Sequence, residues 1–277
     1  MTNDAEFDEL ARYNQEKWDA LARAGVAYTR PMLDMDATAA LDLVDPDGIY
    51  ARHHVALEGA DVLCLAAGGG QQSAAFALLG ANVTVFDLSQ EQLARDRQAA
   101  AHYGLQIDVV NGDMRDLSRF ADNAFDVVLH AHSFNFVPDV AQVHGQIARV
   151  LRTNGIYSLS WNNPFTQTVD DGSWTGEGFL LSYAYVDGRD VNALYPHWTV
   201  EGSDGQVHEL EGPKEYVHTL STMVNSLAGH GFVILHLAED TGEGVDPEPG
   251  SWDHFMQVVV PYLTIWTKFL PAATGAA

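Results

Sequence analysis

Residues 61–65 run as an apolar segment into Ala66-Ala67-Gly68-Gly69-Gly70, and an acid, Asp87, stands seventeen positions after the last glycine. Consecutive glycines let the backbone turn tightly and let a ligand touch the main chain. The N–H groups of a following helix give such a turn a weakly positive floor. Alone, a glycine turn of this kind is common in α/β proteins. A carboxylate at the end of the next strand can accept two hydrogen bonds from the vicinal hydroxyls of a ribose, and Ser89 is placed to cap the helix that follows, which leaves Asp87 for that role. Turn and acid together predict a nucleoside ligand. Asp113-Met114 closes a third segment, where an acid can receive the exocyclic amine of adenine and a thioether can cover the ring; as a turn cap and a core residue the pair would be purely structural. His130 and His132 end a fourth, and alternate residues of an extended strand share one face. One histidine could line the ligand and the other accept a proton, or both could make structural hydrogen bonds.

These groups need elements that hold them together. Phe7, Leu10, Ala11, Trp18, Leu21 and Ala22 lie at helical spacing and predict a helix over about Phe7–Ala24, followed by a loop at Thr29-Arg30-Pro31. Leu41–Leu57 reads as partly helical, broken around Asp45-Pro46-Asp47-Gly48. Strands are expected at Asp61–Leu65, Asn82–Phe86, Gln106–Val110, Phe125–His130 and Gly155–Trp161. Between them come helices at Gln71–Leu79, at Ser89–Tyr103 with Gly104 as its stop, and at Val140–Leu151. Strands alternating with helices at this spacing mean a doubly wound, mostly parallel α/β sheet with helices on both faces and a binding crevice at the strands' carboxyl ends.

From Asn162 to about Pro213 the chain becomes rich in Gly, Asp, Trp and Tyr, with hairpin-like pieces at Trp198–Val200 and Gln206–Leu210. A helix over Tyr216–His230, a strand over Phe232–Leu237, an acidic loop over Glu239–Gly250 and a last strand near Tyr262–Trp266 complete the pattern. No internal repeat is visible.

Composition bounds the function. The 277 residues carry 38 acids against 14 bases, a formal charge of -24, and Lys17, Lys214 and Lys268 are the only lysines. Such a surface repels phosphate backbones and anionic lipid, so no nucleic-acid or membrane partner is expected. The excess acid serves solubility or adaptation to high salt. Cys64, the single cysteine, forbids an internal disulfide and a cysteine-based zinc cluster, and no metal is expected. The acidic start MTNDAEFDEL lacks an apolar core, and no apolar run approaches the ~18 residues of a membrane helix, which reads as a cytoplasmic protein, monomer or homodimer.

In this order, DVLCLAAGGG, VTVFDLS, NGDMRDL, FDVVLHAHSFNFVPD and ARVLRTNGIYSLS, over residues 60–161, resemble the class I S-adenosylmethionine-dependent methyltransferases of small-molecule type. Cys64 stands where an acid is frequent, and Ala66 where the first glycine usually sits. The resemblance implies a seven-stranded sheet with an antiparallel last strand, S-adenosyl-L-methionine as cofactor and S-adenosyl-L-homocysteine as product. It divides the chain into an N-terminal helical cap (1–57), a cofactor-binding core (58–161), an inserted aromatic lid (162–213) and a C-terminal part completing the sheet (214–277). By the same resemblance Ala67, Gly68 and Gly70 line the methionine and ribose, with Gln71 and Gln72 close by. Asp87 and Leu88 hold the ribose edge, Asp113 and Met114 the adenine, and His130 and Ala131 flank the reactive end. Tyr13, Asn14, Trp18 and Tyr28 belong to the cap, unless the helix simply packs on the sheet with Trp18 as core.

Methyl transfer is an in-line displacement, so the enzyme must chiefly align an acceptor lone pair and exclude water; a base is needed only for a protonated nucleophile. His132 and His218 are the candidate bases. Acceptor contacts are expected from His132, Trp161, Asn162, Asn163, Tyr185 and His218. Trp174, Tyr183, Tyr185 and Trp198 form an aromatic lid over a small acceptor or the insertion's own small core. Two other classes stay open: a nicotinamide dehydrogenase, crudely mimicked by Gly68, Gly70 and Asp87, and a non-catalytic S-adenosylmethionine-binding module.

Overall fold

The computed structural model describes residues 7–170, 172–242 and 246–271. Helix α1 (Glu9–Ala24) begins where the Asp8 carboxylate accepts the Ala11 N–H at 2.8 Å and stops at Gly25 in the left-handed region. Helices α2 (Ala37–Val44) and α3 (Ile49–Arg52) follow. The α/β core then runs β1 (Asp61–Leu65), α4 (Gln72–Leu78), β2 (Asn82–Asp87), α5 (Gln90–Tyr103), β3 (Ile107–Asn111), β4 (Phe125–His130), α6 (Val140–Val150) and β5 (Leu151–Asn162). Strands β6 (His197–Glu201) and β7 (Val207–Glu211) pair only with each other. Then come α7 (Leu220–Gly229), β8 (Phe232–Asp240), α8 (Trp252–Val259) and β9 (Tyr262–Phe269).

The seven-stranded sheet has the order β3-β2-β1-β4-β5-β9-β8. Strands β1 to β5 pair in parallel, and β9, last in the chain, lies antiparallel to both β5 and β8. Alternation along β1 shows why both faces are covered. Val62 and Cys64 enter one apolar layer with Phe76 and Leu93, while Leu63 and Leu65 enter the opposite layer with Val143, Ile147 and Met223.

Several elements depart from the expected bounds: β5 begins at Leu151 rather than Gly155, β8 runs on to Asp240 and β9 to Phe269. Helix α7 starts at Leu220 and not at Tyr216, because the Thr219 side chain accepts the Thr222 N–H and caps it there; Glu215 to His218 are not helical, and Tyr216 bridges to Asp190. Helix α8, in the stretch left unassigned between the expected acidic loop and the last strand, is capped by Ser251 and buries Phe255 and Met256. Of the acidic stretch, Glu239 and Asp240 end β8, and residues 243–245 lie outside the described residues, as do residues 1–6 of the cap.

The insertion does not stand apart. Val200 on β6 packs with Leu21 and Val26, and Trp18 meets Trp198 edge-on at 6.1 Å and Phe136 at 5.2 Å. Among the described residues, no helix is long and apolar enough to cross a membrane.

Candidate active site

Strands β1, β2, β3 and β4 deliver their carboxyl ends side by side, and the groups singled out above gather there. Behind β1, Ala66 takes φ +46, a left-handed conformation that costs a non-glycine residue about 1–2 kcal/mol, and Gly69 and Gly70 take φ +132 and +75. Side chains hold this turn in place. Asp87 accepts the Gly68 N–H at 2.9 Å and the Ser89 N–H at 2.8 Å. Asp96, from the middle of α5, accepts the N–H groups of Gly69 and Gly70 at 3.0 and 3.1 Å and the Ser73 hydroxyl at 2.5 Å. Burial pushes Asp87 up to about 6 and Asp96 up to about 7, against the lowering effect of these hydrogen bonds.

The surroundings fit a nucleoside. A Cβ at Gly68 would lie 2.8 Å from Gln92 Cβ and 3.0 Å from Asp87 Cγ, so the main chain must be bare there. Gln92 Oε1 is buried without a hydrogen-bond partner and sits 3.5 Å from where a Gly69 Cβ would be, an acceptor in need of a donor. Each carboxylate oxygen has a second lone pair, so Asp87 can hold the turn and still accept ribose hydroxyls. Asn111 Nδ2 donates to the carbonyls of Asp87 and Leu88, fixing the end of β2.

Helix α1 lies across this edge. Gln15 Nε2 donates to the Leu88 carbonyl at 3.0 Å, Asp19 accepts Ser89 Oγ, and Asn14 Nδ2 donates to the Phe136 carbonyl. Gln71 Nε2 donates to the carbonyls of Tyr28 and Arg30, tying the glycine turn to the segment after α1. Gln72 opens α4. Trp18 is partly buried among aromatics, and Tyr28 is exposed with its ring 6.2 Å from Trp18. The Tyr13 hydroxyl, expected near the cofactor, instead donates to Glu211 Oε1 on β7.

Several groups sit differently from the sequence reading. Both Asp113 oxygens are taken by Arg115, whose guanidinium also bridges to Asp8 at the start of α1, at 2.8 and 2.9 Å. Met114 packs against the core layer of β4 and α6. His130 and His132 do not share a strand face, since β4 ends at His130 and His132 takes φ +47. The His130 ring is buried beside Phe134, with Nδ1 3.3 Å from Tyr157 Oη, and burial pushes it down to about 3. What this strand end offers a ligand is therefore backbone at His130 and Ala131. His132 is exposed, with its ring edge-on to Tyr262 at 5.0 Å. His218 is 1% exposed and its Nε2 meets the Val137 carbonyl at 2.8 Å, an interior tie that leaves no free edge to act as a base. Trp161 is wholly inside the core. Asn163 organises the turn after β5, bonding to Val260 and Phe165, and Tyr185 stacks on Phe165 at 4.7 Å.

Asn162 Nδ2 leads to a group the sequence did not announce. It donates at 2.6 Å to Glu215, a buried carboxylate that also accepts from Gln167 Nε2 at 3.1 Å. Burial pushes Glu215 up to about 7, and its charge is felt by the Tyr262 phenol, paired with Asn162 across β5 and β9. Asp96 carried a local signal, since it falls on the buried stripe of α5 with Gln92, Leu93 and Ala99. Glu215 carried none, because its partners lie 53 and 48 residues away.

Comparison with known proteins agrees with this geometry. Residues 63–159 match the model of a methyltransferase domain family. An uncharacterized methyltransferase, YbaJ of Bacillus subtilis (strain 168), is 32% identical over 245 residues, covering 85% of this chain and 92% of the relative. A ubiquinone biosynthesis O-methyltransferase of Xanthomonas campestris pv. campestris (strain B100) is 32% identical over 158 residues, 57% of this chain and 61% of that protein. The fold is that of an S-adenosylmethionine-dependent methyltransferase from Mesorhizobium loti, with a TM-score of 0.58 and 18% identity over 86% of this chain and all of that one. These matches place the chain with methyltransferases and not with nicotinamide dehydrogenases. The chain belongs to the class I S-adenosylmethionine-dependent methyltransferases.

Proposed function

We propose that the protein methylates a small-molecule acceptor held in front of β4 and β5, under a cover made by α1 and the insertion. The observation that carries this reading is the position of α1, bonded to Leu88 and Phe136 at the carboxyl edge and packed on the β6–β7 hairpin. Such a cover suits a small, enclosed acceptor. The charge of -24 argues against a nucleic acid, and a relative named for ubiquinone biosynthesis is an O-methyltransferase. A cytoplasmic location and a monomer or homodimer suit the same reading.

When bound, S-adenosylmethionine supplies a methyl group on a sulfonium, open to in-line displacement. The chain's part is to bind, orient and keep out water. Asp87 and Leu88 hold the ribose edge; the turn from Ala67 to Gly70, its Gly68–Gly70 N–H groups held by Asp87 and Asp96, brings bare main chain to the methionine end beside Gln71 and Gln72. Asp113 is the group for the adenine, acting through lone pairs that Arg115 leaves open. His132, exposed beside Tyr262, and Glu215 behind Asn162 are the groups placed to take a proton from an acceptor that arrives protonated.

The test is transfer of labelled methyl from S-adenosylmethionine into a fractionated extract. Label is expected in the low-molecular-weight fraction; label confined to protein or RNA overturns the small-molecule reading.

A further inference from the structure

Linked to Glu215 through Gln167 lies a cation without a counter-charge. Arg189, in the insertion, donates from Nη2 to the Gln167 carbonyl at 2.5 Å and lies 5.6 Å from the centre of the Tyr183 ring. Its Nε and Nη1 are buried and have no hydrogen-bond partner, and it joins no ion pair among the described residues. The acids beside it in sequence are engaged elsewhere: Asp187 accepts the Thr219 N–H, and Asp190 pairs with Lys214 at 3.6 Å. Gln167, whose carbonyl Arg189 holds, has a second orphan in its buried Oε1, while its Nε2 is bound to Glu215. Two donor nitrogens and one acceptor oxygen thus lie unsatisfied along a single line of contacts from Arg189 through Gln167 and Glu215 to Asn162, at the carboxyl end of β5. Buried polar groups in folded proteins are nearly always paired, and a half-buried guanidinium with two orphan nitrogens calls for an anion.

We propose that this is the acceptor's recognition subsite and that the methyl acceptor carries a carboxylate, received by Arg189. The proposal rests on the methyltransferase reading and names the substrate class of the same site. A monoanion fits better than a phosphate, because a single guanidinium faces the subsite. Arg189 here is a specificity-determining residue. Its role is to hold the acceptor's charged end while the reacting atom lies toward Asn162, Tyr262 and His132.

The test is calorimetric titration of the intact protein, saturated with S-adenosylhomocysteine, using acetate, benzoate and phenylacetate. Benzamide and inorganic phosphate serve as neutral and dianionic comparisons. At least one carboxylate is expected to bind saturably, at least tenfold more tightly than benzamide or phosphate. Arg189→Gln is expected to weaken it at least tenfold, with affinity for S-adenosylhomocysteine unchanged. Arg189→Lys, which keeps the charge, is expected to retain part of the binding and guards against a folding defect in the glutamine variant. No carboxylate binding, equal binding of benzamide, preference for phosphate, or equal affinity in wild type and both variants would overturn the proposal and leave the orphan groups to structural water. Absence of S-adenosylhomocysteine binding itself would instead strike the methyltransferase reading.

Discussion

The Asp87 carboxylate accepts the Gly68 N–H at 2.9 Å, so the acid at the end of β2 and the glycine turn after β1 are one unit. A ligand held by either is held by both. This coupling explains why the turn tolerates Ala66 at φ +46, since a second carboxylate, Asp96, clamps the next two N–H groups from behind.

Asp96→Ala strands the N–H groups of Gly69 and Gly70 and the Ser73 hydroxyl. A loss of about 2–4 kcal/mol in stability is expected, with S-adenosylhomocysteine binding weakened at least tenfold. Asp96→Asn, which keeps one acceptor oxygen, should lose less of both. Denaturant unfolding and calorimetry on the two variants check this, and equal losses would show that the clamp is not made by acceptor oxygens.

Gly70→Ala places a Cβ 2.6 Å from the Arg95 carbonyl oxygen and 3.0 Å from Ala99 Cβ, at φ +75. Backbone cannot yield there without moving α5. The expected cost is about 2–4 kcal/mol. Gly104→Ala makes a useful control, because φ is also positive, at +67, but nothing lies within 4 Å; only the smaller conformational cost should appear in thermal unfolding.

Glu215 gives a pH dependence of definite sign. Its carboxyl is pushed from the ordinary 4.5 up to about 7 in the folded chain, so the folded state holds the proton more tightly. Its contribution to stability is complete below about pH 4.5 and is lost as pH rises to about 7, by about 3 kcal/mol in all. Glu215→Gln removes the titration. The variant's stability relative to wild type should therefore rise by that amount between pH 4.5 and 8, measured by urea unfolding at each pH; a flat difference would mean that the carboxyl is not desolvated.

Arg115 joins Asp113 at the end of β3 to Asp8 at the start of α1. Arg115→Ala should loosen the cover more than the core. Faster amide exchange over α1 is expected, with a loss of about 1–3 kcal/mol in global stability, the exposed pair with Asp8 contributing little and the less exposed pair with Asp113 most. Unchanged exchange in α1 would show that the bridge does not hold the helix.

Much of this was legible in the sequence because the signals were local. The bounds of β1 and β4 follow from short apolar runs, and α5 from Ser89 at one end and Gly104 at the other. Asp87 stood out because a carboxylate at that strand end has few other uses. Asp96 was harder to read: its place on the stripe with Leu93 and Ala99 is a local signal of burial, but its function is to reach Gly69 across 27 residues of sequence. The pairing of His130 with His132 failed because strand alternation holds only while the strand continues, and the backbone turns left-handed at His132. Glu215 was unreadable, since its burial depends on Asn162 and Gln167 closing over it from another part of the chain.

The most direct test of the central claim is calorimetric titration of S-adenosylhomocysteine into the wild-type protein and Asp87→Ala. Wild type is expected to bind one equivalent with a Kd in the micromolar range. The variant is expected to lose at least a hundredfold, since about 3 kcal/mol of charge-assisted hydrogen bonding to the ribose and the turn disappears. Equal affinity in a folded Asp87→Ala would contradict the claim that Asp87 and the glycine turn hold the nucleoside.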